Sequence, residues 1–420
     1  MLELLVLLSL GYALALLTVS RRRRTTPLPA PDELHFVFVI PCLNERLVIG
    51  RTLDALLAMP YPDFDVLVVD DGSEDGTAEI VRSYDPSCVS LLRRRPPEAR
   101  RGKGEALNAA YRHLREVAAR AGRRPDDVVV AIFDADGRIG ANALREIASL
   151  FRDPKTGAVQ VGVEMRDEAT NLLTRLQDFE FVVFAEIFQR ARERIGSVGL
   201  GGNGQFVRLA ALDSLGAAPW SDCLTEDLDL GLRLLLAGWR NHYCPTAHVS
   251  QQAVPSVRRW WRQRSRWFQG HLQCWRFIVP ILRSELARKT RFDLVWYLAV
   301  PAAILVTPLL PATFVAGVVW IAVRSPATAP ATFGRYGFAL AVVYLLTFGS
   351  AYVFGAVYWL RGRSSLARAI LLGHAFELYS NLWFLAGWTS VWRIAAGRRS
   401  WSKTERTAEP TAVGSGEPSP

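Results

Sequence analysis

The sequence predicts an α/β domain, built on a mostly parallel, doubly wound sheet, joined to transmembrane α-helices. Three observations carry this. Residues 35–247 alternate short apolar runs with helix-periodic segments, the pattern of strands joined by crossover helices. Acidic clusters at Asp70-Asp71-Gly72 and Asp134-Ala135-Asp136 follow apolar runs, which places them at the carboxyl ends of buried strands, where open α/β sheets bind ligands; a third, Thr225-Glu226-Asp227, opens a helix-periodic segment. Half of the 420 residues are hydrophobic and the mean hydropathy is +0.12, so part of the length is expected in a membrane.

In chain order, residues 2–19 form an apolar run long enough to span a bilayer, followed by Arg21–Arg24. A cleaved signal peptide would carry its charge ahead of the run. Residues 1–20 are therefore read as a signal anchor with the amino terminus outside.

The cytoplasmic domain is expected over 33–250. Strands are expected at 35–40, 65–71, 89–92, 128–133 and 159–163, and helices from Pro41 to Leu56 and over 76–84, 102–120 and 226–237. Thr225 is the expected N-cap of the last helix. No G-x-G-x-x-G fingerprint stands between the first strand and the helix that follows it, so a dinucleotide fold is not indicated.

Residues 252–292 interleave Arg with Trp260, Trp261, Trp267 and Trp275, as amphipathic helices at a bilayer surface do. The apolar stretch 294–323 holds Pro301, Pro308 and Pro311 and must tilt, kink or break into a hairpin. A further crossing is expected over 337–360. Residues 366–392 carry His374, Glu377, Ser380 and Asn381; they are expected to lie in the interface or re-enter, with a fourth crossing as the alternative. The basic 361–368 and 393–406 segments belong on the cytoplasmic side. Together these place a multi-pass protein in the plasma membrane. The segment 398–420 reads as basic, then disordered from Thr407.

The net charge of +10 is mostly arginine beside apolar runs, which argues for membrane flanks and against nucleic acid. Five scattered cysteines without C-x-x-C spacing read as reduced thiols. Six dispersed histidines offer no ligand pair, so a zinc site is not expected.

The three acidic clusters suggest a nucleotide, a divalent metal and a general base. Asp134 and Asp136, at i and i+2 of an extended segment, share a face. Hard cations such as Mg²⁺ or Mn²⁺ take one or two such carboxylates plus phosphate oxygens. A solvated turn is the plain alternative. Lys103, in Arg101-Gly102-Lys103-Gly104 at a helix start, suits a phosphate, against an ordinary basic loop. Asp227, beside Glu226 in a first helical turn, is favoured as an ionised base by the helix dipole; otherwise both merely decorate the helix start. Gln263, Arg266 and Trp267, at i, i+3 and i+4, share one helical face, for anchoring or for a sugar ring and a diphosphate.

The order Pro41-Cys42-Leu43-Asn44-Glu45, Asp70-Asp71-Gly72-Ser73, Arg101-Gly102-Lys103-Gly104, Asp134-Ala135-Asp136, Gly201-Gly202-Asn203-Gly204, Thr225-Glu226-Asp227 and Gln263–Trp267 resembles family 2 of the glycosyltransferases. The likeness is to the membrane-bound branch with cellulose, chitin, hyaluronan and poly-N-acetylglucosamine synthases, over residues 35–270. The Trp401–Arg406 segment is similar to a tail of bacterial members.

The resemblance implies a GT-A fold and inverting transfer from a UDP-sugar (UDP-glucose or UDP-N-acetylglucosamine) with Mg²⁺ or Mn²⁺. It implies that Asp71 with Asp70 holds uridine and that Glu45, with Pro41 and Asn44 of its motif, borders that pocket. Asp134 and Asp136 would meet nucleotide and metal, and Lys103 the phosphates. Asp227, with Glu226 beside it, would be the catalytic base. Gln263, Arg266 and Trp267 would shape the acceptor end.

The first expectation is extension of a β-linked polysaccharide, with a partner subunit completing export because the membrane part is small. A lipid acceptor such as diacylglycerol or ceramide is the alternative. A non-catalytic scaffold or transporter is the third.

Overall fold

The structure is a computed structural model that describes residues 2–20, 34–324, 326–327 and 329–398. Arg21–Arg24 and the tail from residue 399, including 401–406, lie outside the described residues.

After helix α1 (Leu2–Ser20), the α/β domain follows as β1 (His35–Cys42), α2 (Ile49–Leu57), β2 (Phe64–Asp70), α3 (Thr77–Arg82), β3 (Val89–Arg93), α4 (Lys103–Arg120), β4 (Val128–Ile132), β5 (Arg138–Ile139), α5 (Ala143–Leu150) and β6 (Thr156–Met165). Then come α6 (Leu172–Val183), a π-helical turn Phe184–Gln189, α7 (Arg190–Ile195), β7 (Gln205–Arg208), α8 (Leu209–Asp213), α9 (Glu226–Leu236) and β8 (Arg240–Gln251). The carboxyl-terminal part holds α10 (Val257–Gln273), α11 (Ile278–Arg283), α12 (Arg288–Ile304), α13 (Leu309–Arg324), α14 (Ala329–Leu360) and α15 (Leu366–Ala395).

The sheet has eight strands in the order β3-β2-β1-β4-β7-β6-β8-β5. The β3-β2-β1-β4 half is parallel, as the apolar runs predict, with Cys42 opposite Asp70 and Val39 opposite Ile132. The other half is mixed: β7 runs antiparallel to β4 and β6, and β5 to β8. Strands β7 and β8 carry too little apolar periodicity to be read; β7 is four residues and β8 includes Asn241, Pro245 and His248.

Alternation along β1 sends Phe36, Phe38 and Ile40 to one face and Val37 and Val39 to the other. Phe38 packs edge-on against Phe133 at 5.0 Å, and Val37 and Val39 meet Leu107, Ala110 and Tyr111 of α4. Each such buried side chain stabilises the fold by about 1.5–3 kcal/mol.

Among the described residues, two helical stretches are long and apolar enough to cross a membrane, 288–324 and 334–360. The first breaks between α12 and α13, at a turn that includes Pro308, the break its prolines predict. Helix α15 is continuous over 30 residues, about 45 Å at 1.5 Å per residue. It touches the α/β domain and α10 along its length. Just ahead of it Arg363 pairs with Glu164, in its middle Tyr379 Oη donates to Glu180 (2.8 Å), and near its end Ser390 Oγ donates to the Ser265 carbonyl (2.7 Å).

Two local expectations are corrected. Trp260 does not present its ring outward: it is fully buried, donating from Nε1 to Tyr379 Oη (2.7 Å) and packing on Trp383, because α10 buries its apolar stripe against α15. Thr225 occupies the N-cap position but its hydroxyl makes no cap. It lies 3.6 Å from Cys223 Sγ and 3.9 Å from Cys274 Sγ. All five cysteines are free thiols.

Candidate functional site

A cavity of about 1030 Å³ opens at the carboxyl ends of β1, β2 and β4. Pro41, Glu45, Asp71, Lys103, Asp134, Glu226, Asp227, Gln263, Arg266 and Trp267 all line it. Asn44, Asp70 and Asp136 are not among its walls.

At the β1–β2 end, Asp71 follows the last residue of β2 and accepts a bond from the Arg94 guanidinium. Burial lifts the Asp71 carboxyl above its ordinary range, and the Arg100 amide and the Arg94 charge oppose this. Asp70 is fully buried; Oδ1 accepts from the Ser73 amide (2.8 Å) and Oδ2 sits 3.2 Å from Arg93 Nε. It shapes the turn that presents Asp71 and, although expected beside the uridine, does not line the cavity. Asn44 is likewise a latch. At φ 54° it takes a left-handed conformation that Asn tolerates, and its Oδ1 accepts from the Glu74 amide (2.9 Å).

The centre is an acidic cluster around one ammonium. Lys103 Nζ, at the first turn of α4, donates to Asp134 Oδ1 (2.9 Å) and the Gly202 carbonyl (2.8 Å), and lies 4.0 Å from Glu226 Oε1. A Cβ on residue 202 would stand 3.3 Å from both Asp227 Oδ2 and Lys103 Nζ; glycine lets the chain pass over this pair. Asp227 accepts from the Leu228 amide (2.8 Å).

Burial, then the neighbouring Asp227 charge, pushes the Glu226 carboxyl up to about 7. Burial also raises Asp227, against the Leu228 N–H and Lys103. Burial alone would lower Lys103; Asp134 and Glu226 outweigh it and hold the ammonium charged.

The carboxylate oxygens on this wall are hard donors of the kind a divalent cation takes. Asp134, half-exposed to the cavity, is the residue placed to hold one. Asp136 is not. Strand β4 ends at Ile132, and residues 134–137 form a turn closed by the Gly137 amide on the Asp134 carbonyl (2.8 Å). The i, i+2 rule for extended chain therefore does not apply. Asp136 turns into the protein, 1% exposed, and accepts from the Gln252 amide (2.8 Å). Asp136, expected as a second metal ligand, thus faces the protein interior in this structure and does not line the cavity.

The structure adds residues that no motif announced. Gln160 takes the Gly201 amide on Oε1 (2.8 Å) and donates to the Asn203 carbonyl (2.9 Å), fixing the loop that caps Lys103. Arg264 is 1% exposed, pairs with Glu180 (2.9 Å) and lies 4.2 Å from the Trp267 ring centre. It fixes the Trp267 ring at the cavity wall. Its i, i+3 spacing to Trp267 was visible in the sequence; Glu180, on α6, had no signal.

Gly270 of α10 meets the Thr225 backbone so closely that a Cβ would lie 2.5 Å from the Thr225 nitrogen. Helix α10 is thus seated directly on the segment carrying Glu226 and Asp227. Beyond Trp267 the cavity continues between apolar walls: Val300 and Pro301 of α12, Pro311 of α13, Leu346 and Phe354 of α14, and Phe376 of α15.

Residues 31–270 match the family model described as glycosyltransferase like family 2. The chain is 32% identical over 303 residues to a beta-monoglucosyldiacylglycerol synthase of Synechocystis, covering 67% of this chain and 59% of that protein. It is 28% identical over 256 residues to a poly-beta-1,6-N-acetyl-D-glucosamine synthase of Staphylococcus epidermidis, covering 59% and 57%. The chain thus spans about three-fifths of the length of these curated relatives.

The mannosyltransferase PcManGT of Pyrobaculum calidifontis, solved with GDP-Man and Mn²⁺, superposes with a TM-score of 0.58 at 20% identity, over 92% of this chain and 99% of that one. The likeness supports the fold: a mixed, Rossmann-like GT-A sheet. With the family model matching more than half of its residues, from the first strand through the Gln263–Trp267 helix, the chain belongs to the family 2-like glycosyltransferases.

Proposed function

We propose that this protein transfers a sugar from a UDP-sugar to the hydroxyl of a membrane lipid. The observation that carries this is the continuity of one cavity from the Asp227 carboxylate to the apolar walls of α12, α13, α14 and α15. A glycan chain would favour polar walls and aromatic platforms along that path, whereas acyl chains favour apolar ones. The likeness to a beta-monoglucosyldiacylglycerol synthase supports the same acceptor class. Polymer extension, the first expectation from sequence, would use the same acidic centre; the cavity's second half favours the lipid.

In this reading Asp71 and Glu45 border the nucleoside and Lys103 faces the diphosphate. Mg²⁺ or Mn²⁺, when bound, would draw charge from the leaving diphosphate, held by Asp134 and the diphosphate oxygens. Asp227 takes the proton of the acceptor hydroxyl. Burial raises its carboxyl and Lys103 and the Leu228 N–H oppose that rise, while Glu226, up to about 7, is partly protonated near neutrality, which lessens the like charge beside it. Trp267, fixed by Arg264, offers a face to the sugar, and Arg266 faces the acidic pair.

In the membrane we place α13 and α14 as the hairpin that enters the bilayer, with α10 and α15 along the cytoplasmic interface. An acceptor then enters laterally from the bilayer, and the partner subunit expected for export has no part.

Purified protein is assayed with Mg²⁺ or Mn²⁺, each radiolabelled UDP-sugar and membrane lipid. Label in one organic-extractable lipid supports the reading; label in large aqueous material overturns it for a polymer.

A further inference from the structure

The apolar limb of the cavity carries a polar cluster on α14 and α15. Glu377 of α15 accepts a bond from Ser350 Oγ of α14, and both line the cavity. Thr347, one turn before Ser350, is 5% exposed, and its hydroxyl makes no hydrogen bond, not even the common one to its own helix. Ser380, one turn after Glu377, also lines the wall. Around them stand Leu346, Phe354 and Phe376.

A carboxyl group and an unsatisfied hydroxyl among membrane-facing helices are costly. Such groups persist where something else supplies the missing bonds. The helices are locked at this level: a Cβ on Gly373 would strike the Ala351 carbonyl, and one on Gly355 would strike the Ala369 carbonyl. The polar side chains are therefore fixed at their places in the wall.

We infer that Thr347, Ser350 and Glu377 form a subsite for the acyl linkage of the acceptor lipid, the Thr347 hydroxyl donating to its carbonyl. This rests on the lipid-acceptor reading and goes beyond it by naming which part of the lipid is recognised. An acyl carbonyl is common to glycerol esters and to sphingoid amides. The two differ in that the amide also offers an N–H, which the Glu377 carboxyl can accept. A long-chain alcohol offers neither.

The test compares dioleoylglycerol, a ceramide and octadecanol as acceptors in mixed micelles, with the full-length wild type, Thr347→Val and Glu377→Leu. Thr347→Val keeps the side-chain shape, so folding is preserved; UDP affinity and melting temperature are read alongside. Octadecanol is expected to be a poor acceptor for the wild type. Thr347→Val is expected to raise KM for the acyl lipids about fivefold or more, as the loss of one hydrogen bond gives, leaving KM for octadecanol and for the UDP-sugar in place. A ceramide preference that Glu377→Leu removes assigns the amide; a dioleoylglycerol preference untouched by Glu377→Leu assigns the ester. Equal KM values in wild type and Thr347→Val for the acyl lipids overturn the subsite while leaving the lipid reading standing. No labelled lipid from any acceptor overturns both.

Discussion

Single residues divide the acidic cluster into groups that react and groups that hold. Asp227→Asn keeps shape and removes the proposed base, so kcat is expected to fall by about 10²–10⁴-fold, with UDP affinity by calorimetry retained. Glu226 gives a different signature. Its carboxyl stands at about 7 in the fold against about 4.3 in an unfolded chain. A raised folded value means that the native state holds the proton more tightly. The stability this gives is complete below about pH 4 and is lost as the pH rises through about 7. Glu226→Gln cannot ionise, so its melting temperature is expected to match wild type at pH 4 and exceed it by a few degrees at pH 8; thermal melts at both pH values check this.

Asp134 and Asp136 are expected to separate in the same way. Asp134→Ala raises the Mn²⁺ concentration needed for half-maximal UDP-sugar binding by about tenfold or more, with little change in melting temperature. Asp136→Ala does the reverse, because Asp136 anchors the Gln252 amide inside the protein. Equal metal requirements in the two variants would contradict this assignment.

At the scale of elements, the seating of α10 on the Thr225–Asp227 segment sets the site. Gly270→Ala would put a Cβ 2.5 Å from the Thr225 nitrogen. Overpacking of this kind costs about 1–3 kcal/mol, and the shift falls on the base itself. A lowered kcat with a lowered melting temperature is expected. Phe38→Ala, far from the cavity in the sheet core, is expected to cost about 3–5 kcal/mol, read by chemical denaturation.

The legibility of these elements has a physical pattern. The parallel half of the sheet was readable because β1, β2 and β4 are buried on both faces and so are continuous apolar runs. Strands β7 and β8 were not, being short or polar where they meet loops. The three acidic clusters were readable as strand ends and a helix start. The inward turn of Asp136 was not, because the two-residue period fails once β4 has ended. Nothing in sequence spacing tells that Arg264 and Glu180 meet, or that Trp260 lies under α15; both are contacts between distant segments.

On the scale of the whole molecule, one cavity joins the acidic cleft at the strand ends to helices that are apolar enough for a bilayer. Helix α15, tied to the α/β domain through Tyr379 and to α10 through Ser390, holds the two parts in register, so the base and the acceptor path keep a fixed relation. In the proposed function the acceptor reaches Asp227 along the apolar limb. Val300, on the α12 wall of that limb, is where it can be blocked without touching the acidic centre. The decisive experiment is the rate of sugar transfer to lipid by Val300→Trp, with UDP affinity measured on the same sample. Transfer is expected to fall at least tenfold with UDP affinity unchanged. Transfer at the wild-type rate in a folded variant would contradict it.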